Sequence, residues 1–329
     1  RSSDAAALAQ AALEARARGE RVLVVCADPA DVPRLAQEMP WFEPKLDVRP
    51  LPDWETLPYD VLSPQEELVS ERLEALYRLT APTGGADVLL TSAVTASQRL
   101  SPVSYIGANT FFFHQGEQIS LTTLQKRLAA AGYANVKQVL AAGEFAVRGS
   151  IVDVFPMGSE RPFRLDFFDD EIESIRWFDV DTQRSMESAE EIRLLPGHEF
   201  PVDPEALLAF RQRWRREFAG DPKKSIVYCD IEKEILPPGI EYYLPLFFDE
   251  TAALTDYLPP NARVFLLGDI EVALQAFGRD MASRYKVLAA DPQRPALAPE
   301  RIWLKPEEFF KSLANFARFT VEKKEDRKS

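Results

Sequence analysis

Short bursts of alternating apolar and polar residues fill the stretch between residues 143 and 200. Two of them, residues 150–155 (SIVDVF) and 163–168 (FRLDFF), are bounded by Gly, Pro or acidic residues, which is typical of half-buried strands joined by turns. The pattern predicts a small antiparallel sheet. Because successive side chains leave opposite faces of a strand, the second burst has an apolar face and a mixed face. The apolar face carries Phe163, Leu165 and Phe167, and the mixed face carries Arg164, Asp166 and Phe168.

Before this stretch, runs of helix formers alternate with continuous apolar runs. Helices are predicted over residues 4–18, 29–38 and 66–79, and buried parallel strands over residues 21–27, 46–51 and 87–90. Ser3 or Asp4 is the expected N-cap of the first helix, and Ser63 that of the third, with Pro64 at its first position. The alternation indicates an α/β layer with a parallel sheet up to about residue 101.

The pattern changes at residue 109. A strand is predicted over residues 111–113 and a helix over 121–131, stopped by Gly132, and only strands follow to residue 195. One helix and a run of strands indicate an α+β unit with an antiparallel sheet, inserted into the α/β layer. After it, a helix begins near Asp203 and a buried strand is predicted over residues 263–267. The predicted domains are residues 1–108 (α/β), 109–195 (the insertion), 196–318 (completion of the α/β domain) and 319–329 (a charged linker).

Composition and charge limit the classes of function that the chain could have. The chain has 329 residues, 46% hydrophobic and 28% charged, and no apolar run approaches the roughly 18 residues that a membrane span needs. A formal net charge of −13 repels polyanions, so a protein partner is favoured over nucleic acid unless basic residues share one face. Cys26 and Cys229 lie far apart, and no secretory leader precedes them, so we expect a reducing cytoplasm. We also expect a monomer.

One segment after residue 203 concentrates basic residues. Arginines alternating with apolar positions usually form the solvated face of an amphipathic helix, and we favour that interpretation over a nucleic-acid site. The arginines are Arg211, Arg213, Arg215 and Arg216.

The central stretch resembles a known family. Residues 148–179 (RGSIVDVFPMGSERPFRLDFFDDEIESIRWFD) are similar to the second domain of the bacterial transcription-repair coupling factors (the Mfd family) and, more distantly, to the matching domain of the excision-repair protein UvrB. Residues 53–60 (DWETLPYD), 239–242 (GIEY) and 256–259 (DYLP) resemble the same family. The resemblance implies the N-terminal UvrB-like region, a degenerate P-loop-ATPase-like parallel-sheet domain split by a UvrA-binding α+β insertion.

The resemblance also implies partners and site residues. By motif, Arg148, Arg164 and Phe168 match the residues that contact the damage-recognition ATPase UvrA, with Asp166 as a neighbour. For Phe168, packing in the core competes with this role, and for the two arginines a plain solvated surface does. The complete protein would be an ATP-dependent double-strand DNA translocase that displaces stalled RNA polymerase, with ATP and magnesium in motor domains beyond this chain.

The sequence disfavours two enzymatic functions. A motor needs the phosphate loop GxxxxGK[ST], which is absent, and the Asp-Glu-x-His tetrad of UvrB has no counterpart after residue 267, where Asp269 and Glu271 fit a helix cap and its first turn. A metal-dependent hydrolase built on Asp166, Asp169, Asp170 and Glu171 is disfavoured, because neighbours on a strand face opposite ways and a hairpin turn explains the middle pair.

We therefore expect a protein-binding module with no catalytic, cofactor or metal residues in this region. The alternative is an active UvrB-like ATP-dependent module that binds damaged DNA as a helicase. In UvrB the segment matching residues 53–60 lies near DNA, but here acidic residues surround Trp54 and Tyr59, which favours packing of these aromatic residues onto the core.

Overall fold

The computed structural model describes residues 2–81 and 85–321. Residues 322–329, most of the predicted linker, lie outside the described residues, as does Arg1. Within the described parts the strands are β1 Val22–Cys26, β2 Val48–Pro50, β3 Val88–Ser92, β4 Phe111–His114, β5 Ala134–Asn135, β6 Glu144–Arg148, β7 Ile151–Val154, β8 Phe163–Phe168, β9 Glu171–Phe178, β10 Ser185–Ala189, β11 Glu191–Leu194, β12 Arg263–Leu267 and β13 Ala317–Val321.

The α-helices of the described parts are α1 Ser2–Ala17, α2 Asp31–Phe42, α3 Glu66–Thr80, α4 Ala93–Ser97, α5 Val103–Ala108, α6 Leu121–Ala130, α7 Pro204–Glu217, α8 Ile226–Glu232, α9 Ile270–Leu288, α10 Pro299–Ile302 and α11 Pro306–Ser312. Short 3-10 helices span Pro222–Lys224, Ile240–Leu246 and Leu254–Tyr257.

A five-stranded parallel sheet has the order β13-β12-β1-β3-β2. Every residue of β1 is buried because both faces of the sheet are covered. Leu23 and Val25 enter one core cluster together with Leu73 of α3, whereas Val24 packs in another with Leu35 of α2. β12 and β13 follow the insertion in sequence, yet β12 pairs with β1 and β13 with β12. The predicted fold is therefore confirmed: an α/β parallel-sheet domain split by an inserted domain.

The insertion contains a six-stranded sheet of order β10-β9-β8-β7-β6-β5. Its strands pair antiparallel except β5, which is two residues long and runs parallel to β6 after the chain leaves α6. Ser120 caps α6 by accepting from a backbone N–H, and Gly132 follows the helix with φ of +90°, at the predicted stop. Leu124 and Leu128 of α6 pack in the same cluster as Leu165, so the helix covers the apolar face of the sheet.

Three details differ from the sequence analysis. Ser63 does not cap α3, which begins at Glu66, because its hydroxyl donates to Glu241 Oε2 (2.8 Å) and accepts from the backbone N–H of Gly239 (3.0 Å). Helix α1 already includes Ser2, so Ser3 and Asp4 lie inside it rather than at its N-cap. Residues 319–321 pair with β12 as part of β13, so they belong to the sheet and not to the linker.

The loop before α3 is anchored by a buried polar network. The Trp54 indole N–H donates to Glu199 Oε2 (2.9 Å), and Arg72 Nε donates to Glu199 Oε1 (2.8 Å). Arg72 also donates to Gln98 Oε1 (2.9 Å), and its guanidinium lies over the Trp54 ring. Tyr59 packs against the same cluster, and its hydroxyl donates to a backbone carbonyl. Both aromatic residues therefore pack onto the core, as predicted.

Helix α7 has a buried apolar stripe and a charged face, as predicted. Leu207, Phe210 and Trp214 are buried. On the charged face, Arg211 forms an ion pair with Glu232 (3.7 Å). Arg213 forms an ion pair with Asp249 (2.6 Å). Among the described residues, no helix is both long and apolar enough to cross a membrane.

Candidate protein-binding face

The mixed face of the six-stranded sheet is the candidate site, and we call it the outer face. Strand pairing sets Asp153 of β7 beside Arg164 of β8, and Arg164 beside Arg176 of β9. One row further along, Ile151 lies between Arg148 of β6 and Asp166 of β8. Because neighbouring strands are about 4.8 Å apart, these side chains form one contiguous surface.

Two of the predicted site residues converge on a carboxylate that the sequence analysis did not single out. Arg148 Nη2 donates to Asp153 Oδ2 (2.6 Å). Arg164 donates through Nε to Asp153 Oδ1 (2.7 Å) and through Nη2 to Oδ2 (2.9 Å). This is the bidentate geometry that guanidinium and carboxylate groups prefer. Asp153 is only 1% exposed, so the two arginines supply its charge balance.

Arg164 is fixed further by its surroundings. Its Nη1 donates to the backbone carbonyl of Gln183 (3.1 Å), and its guanidinium lies 4.9 Å from the Phe178 ring centre. The hydrogen bonds to Asp153 raise the pKa of Arg164 above its usual value. Arg164 is therefore an oriented but largely covered cation.

Arg148 is presented differently. It ends β6, next to Gly149, whose φ of +62° makes the turn into β7. Its side chain is 52% exposed, and of its five N–H donors only one on Nη2 has an acceptor among the described residues. The remaining donors face solvent, so Arg148 is the accessible cation of the pair.

Phe168 lies at the end of β8 on the same face. It is 68% exposed, whereas Phe167 beside it is 6% exposed and packs in the core. The interpretation of Phe168 as a core residue is therefore wrong. Asp169, with φ of +51°, forms the hairpin turn that follows. Asp166, the predicted neighbour, is half-buried and accepts a hydrogen bond from Ser174 Oγ (2.8 Å).

Sequence reasoning missed Asp153 and Arg176. Asp153 stands between two buried valines in an apolar burst, and alternation alone places it on the outer face. Its arginine partners depend on the strand register, which the sequence pattern does not give. Arg176 is exposed beside Arg164 and has no ion-pair partner among the described residues.

The carboxylates considered for a metal do not form a site. Across residues 2–81 and 85–321, no group of three or more His, Cys, Asp or Glu side chains could hold a metal ion. Asp269 instead caps α9 by accepting from the backbone N–H of Val272 (3.0 Å).

Comparisons with known proteins agree with the motif. Residues 111–200 match a family model described as the UvrB interaction domain. The chain is 42% identical over 298 residues to a transcription-repair-coupling factor of Escherichia coli, a match covering 90% of this chain and 26% of that relative. The corresponding protein of Haemophilus influenzae is 44% identical over 286 residues, 86% of this chain and 25% of the relative. In Bacillus subtilis the identity is 32% over 216 residues, 61% of this chain and 18% of the relative. The chain thus spans about a quarter of the length of the first two relatives.

Proposed function

We propose, from the premise that this chain corresponds to the N-terminal, UvrB-like region of a transcription-repair coupling factor, that the region is a UvrA-recruiting module. UvrA binds the outer face, and Arg148, Arg164 and Phe168 are the centre of the contact. The region links stalled RNA polymerase to nucleotide excision repair by holding UvrA, and it acts as a binding scaffold.

The observation that supports this most directly is the arrangement around Asp153. A buried carboxylate holds two guanidiniums in fixed positions, so little side-chain entropy is lost when a partner carboxylate meets Arg148. Phe168 is a large apolar side chain that stays exposed on the same face. Arginine and aromatic side chains together are the usual composition of an interface hot spot.

The α/β domain supports the binding role without catalysis. In an ATPase of this type, a lysine in the first turn of the first helix would hold phosphates, but the first described turn of α1 has Asp4. Its carboxylate forms an ion pair with Arg34 (2.7 Å). We propose that this degenerate domain neither binds nor hydrolyses ATP.

The complete protein has a wider role under this proposal. It is an ATP-dependent double-strand DNA translocase of the cytoplasm that displaces stalled RNA polymerase, with ATP and magnesium in motor domains outside this chain. RNA polymerase and double-stranded DNA are bound by those other domains. The region described here is monomeric and contributes the contact to UvrA.

Calorimetric titration of UvrA with this region tests the proposal. Arg148→Ala is the cleaner variant, because Asp153 keeps its hydrogen bonds from Arg164 and the fold stays intact. It should weaken binding by about 2 kcal/mol or more, the scale of a hot-spot residue. Arg164→Ala should do the same but also lower the melting temperature, because Asp153 then loses two of its three hydrogen bonds.

The matched control is Arg216→Ala. Arg216 is an exposed arginine on α7, outside the insertion, so its removal should change UvrA binding by no more than about 0.5 kcal/mol. If Arg148→Ala binds UvrA as well as the parent does, the outer face is not the docking surface.

A further inference from the structure

A cleft of about 660 Å³ separates helix α3 from the insertion. Its walls are held together by two polar contacts. The backbone N–H of Gly158 donates to Ser70 Oγ of α3 (2.7 Å), and the Arg193 guanidinium pairs with Glu74 of the same helix. The cleft is therefore a built feature of the fold and not a gap between loosely docked parts.

The insertion gives the cleft an apolar wall. Trp177 and Phe155 line it, and Leu140 is exposed at its edge. Trp177 packs against Phe163 with ring centres 3.8 Å apart, on the side of the sheet opposite the outer face. An aromatic wall beside an exposed leucine is suited to holding an apolar side chain.

The charges in the cleft are unequally neutralised. Its basic residues already have acidic partners: Arg49 pairs with Asp47, and Arg78 and Arg193 both pair with Glu74. In contrast, three acidic lining residues form no ion pair among residues 2–81 and 85–321. They are Glu67 and Glu71 on α3 and Glu160 on the insertion.

Further carboxylates surround this group. Desolvation by neighbouring atoms raises the pKa of Glu66, and the carboxylates of Glu144 and Glu67 add to the rise. Desolvation raises the pKa of Glu71 too, with a further contribution from Glu55. Because like charges here repel each other, a cation placed in the cleft would relieve the repulsion.

We propose that this cleft is a second protein-binding site, which takes a basic peptide segment of a partner protein. An apolar side chain of the segment packs on Trp177 and Leu140, and its Lys or Arg residues pair with Glu67, Glu71 and Glu160. Nucleic acid does not fit, since its phosphates would be repelled by the same carboxylates. A second copy of this chain, with a net charge of −13, does not match either.

Fluorescence anisotropy tests this proposal. The probe is a fluorescein-labelled twelve-residue peptide of alternating Lys-Arg pairs and single leucines, and its counterpart has Glu at the basic positions. The basic peptide should bind in the micromolar range at low salt, more weakly at physiological salt, and the acidic peptide should not bind. No binding of the basic peptide below millimolar concentration would overturn the proposal.

Variants show whether the cleft itself is responsible. The triple change Glu67→Gln, Glu71→Gln and Glu160→Gln should weaken binding at least tenfold, and Leu140→Ser severalfold. The control triple Glu14→Gln, Glu205→Gln and Glu307→Gln changes the net charge equally at exposed positions outside the cleft. It should stay within twofold of the parent.

If both triples weaken binding equally, the attraction is a general effect of net charge and the site does not exist. UvrA titration separates this proposal from the earlier one. The cleft triple should leave UvrA affinity unchanged, since the outer face lies on the other side of the sheet.

Discussion

Two adjacent phenylalanines of β8 allow the proposed face to be tested with an internal control. Phe167 is 6% exposed and packs in the core, while Phe168 is 68% exposed on the outer face. Phe→Ala in a core costs about 3 to 5 kcal/mol of stability, and we expect Phe167→Ala to fall in that range. Phe168 buries only about a third of its side chain, so Phe168→Ala should cost roughly 1 kcal/mol.

Binding should show the reverse order. Phe168→Ala removes the aromatic side chain proposed to enter a pocket of UvrA, so affinity should fall by about 2 kcal/mol, roughly 30-fold. Urea unfolding gives the stability of each variant, and calorimetric titration at a temperature where both remain folded gives the affinity. Phe167→Ala should then bind within about threefold of the parent.

Two results would refute the reasoning. Equal loss of stability in the two variants would mean that Phe168 is buried by contacts that the fold does not show. Unchanged UvrA affinity in Phe168→Ala would exclude this residue from the interface, whatever the arginines contribute.

Three further predictions concern stability and nucleotide binding. Arg72→Ala should destabilise the fold by about 3 to 5 kcal/mol in urea unfolding, because it leaves the buried Glu199 carboxylate (4% exposed) without its cation; a cost below about 1 kcal/mol would contradict the network. Burial raises the pKa of Glu241 to about 7, above its unfolded value of 4.5. The protonated carboxyl therefore favours the folded state fully below about pH 4.5, and this contribution to the free energy of unfolding is lost as pH rises to 7. The melting temperature of Glu241→Gln should therefore rise relative to that of the parent as pH increases from 5 to 8. If the melting temperatures of the two proteins change with pH in parallel, Glu241 does not titrate in this range. Magnesium-ATP at millimolar concentration should leave the melting temperature of the region unchanged, and a saturable rise of several degrees would favour the alternative of an active ATPase module.

Periodicity was sufficient to predict which way each side chain of β8 points, because a strand has only two faces. It also separated the α/β part from the insertion, since buried parallel strands and half-buried strands have different patterns. Periodicity did not predict the strand register. Asp153 contacts Arg148 and Arg164 only because of how β6, β7 and β8 are aligned.

Local signals also failed where a distant residue competed for them. Ser63 followed by Pro64 has the composition of a helix start, but its hydroxyl is taken by Glu241, a residue far away in sequence. The cleft could not be predicted from the sequence either, because its acidic residues come from α3 and from the insertion. Only the fold brings these two parts together.

The order of strands in the parallel sheet has a consequence for synthesis on the ribosome. Val24 of β1 pairs with Phe265 of β12, so one edge of β1 stays open until nearly the whole region has been made. The insertion closes its own sheet from residues 134–189, and it is complete roughly 10 s earlier at ordinary translation rates. The insertion is thus the first sheet whose strands are all available to the nascent chain, and the α/β domain is exposed to aggregation until β12 arrives to complete its centre.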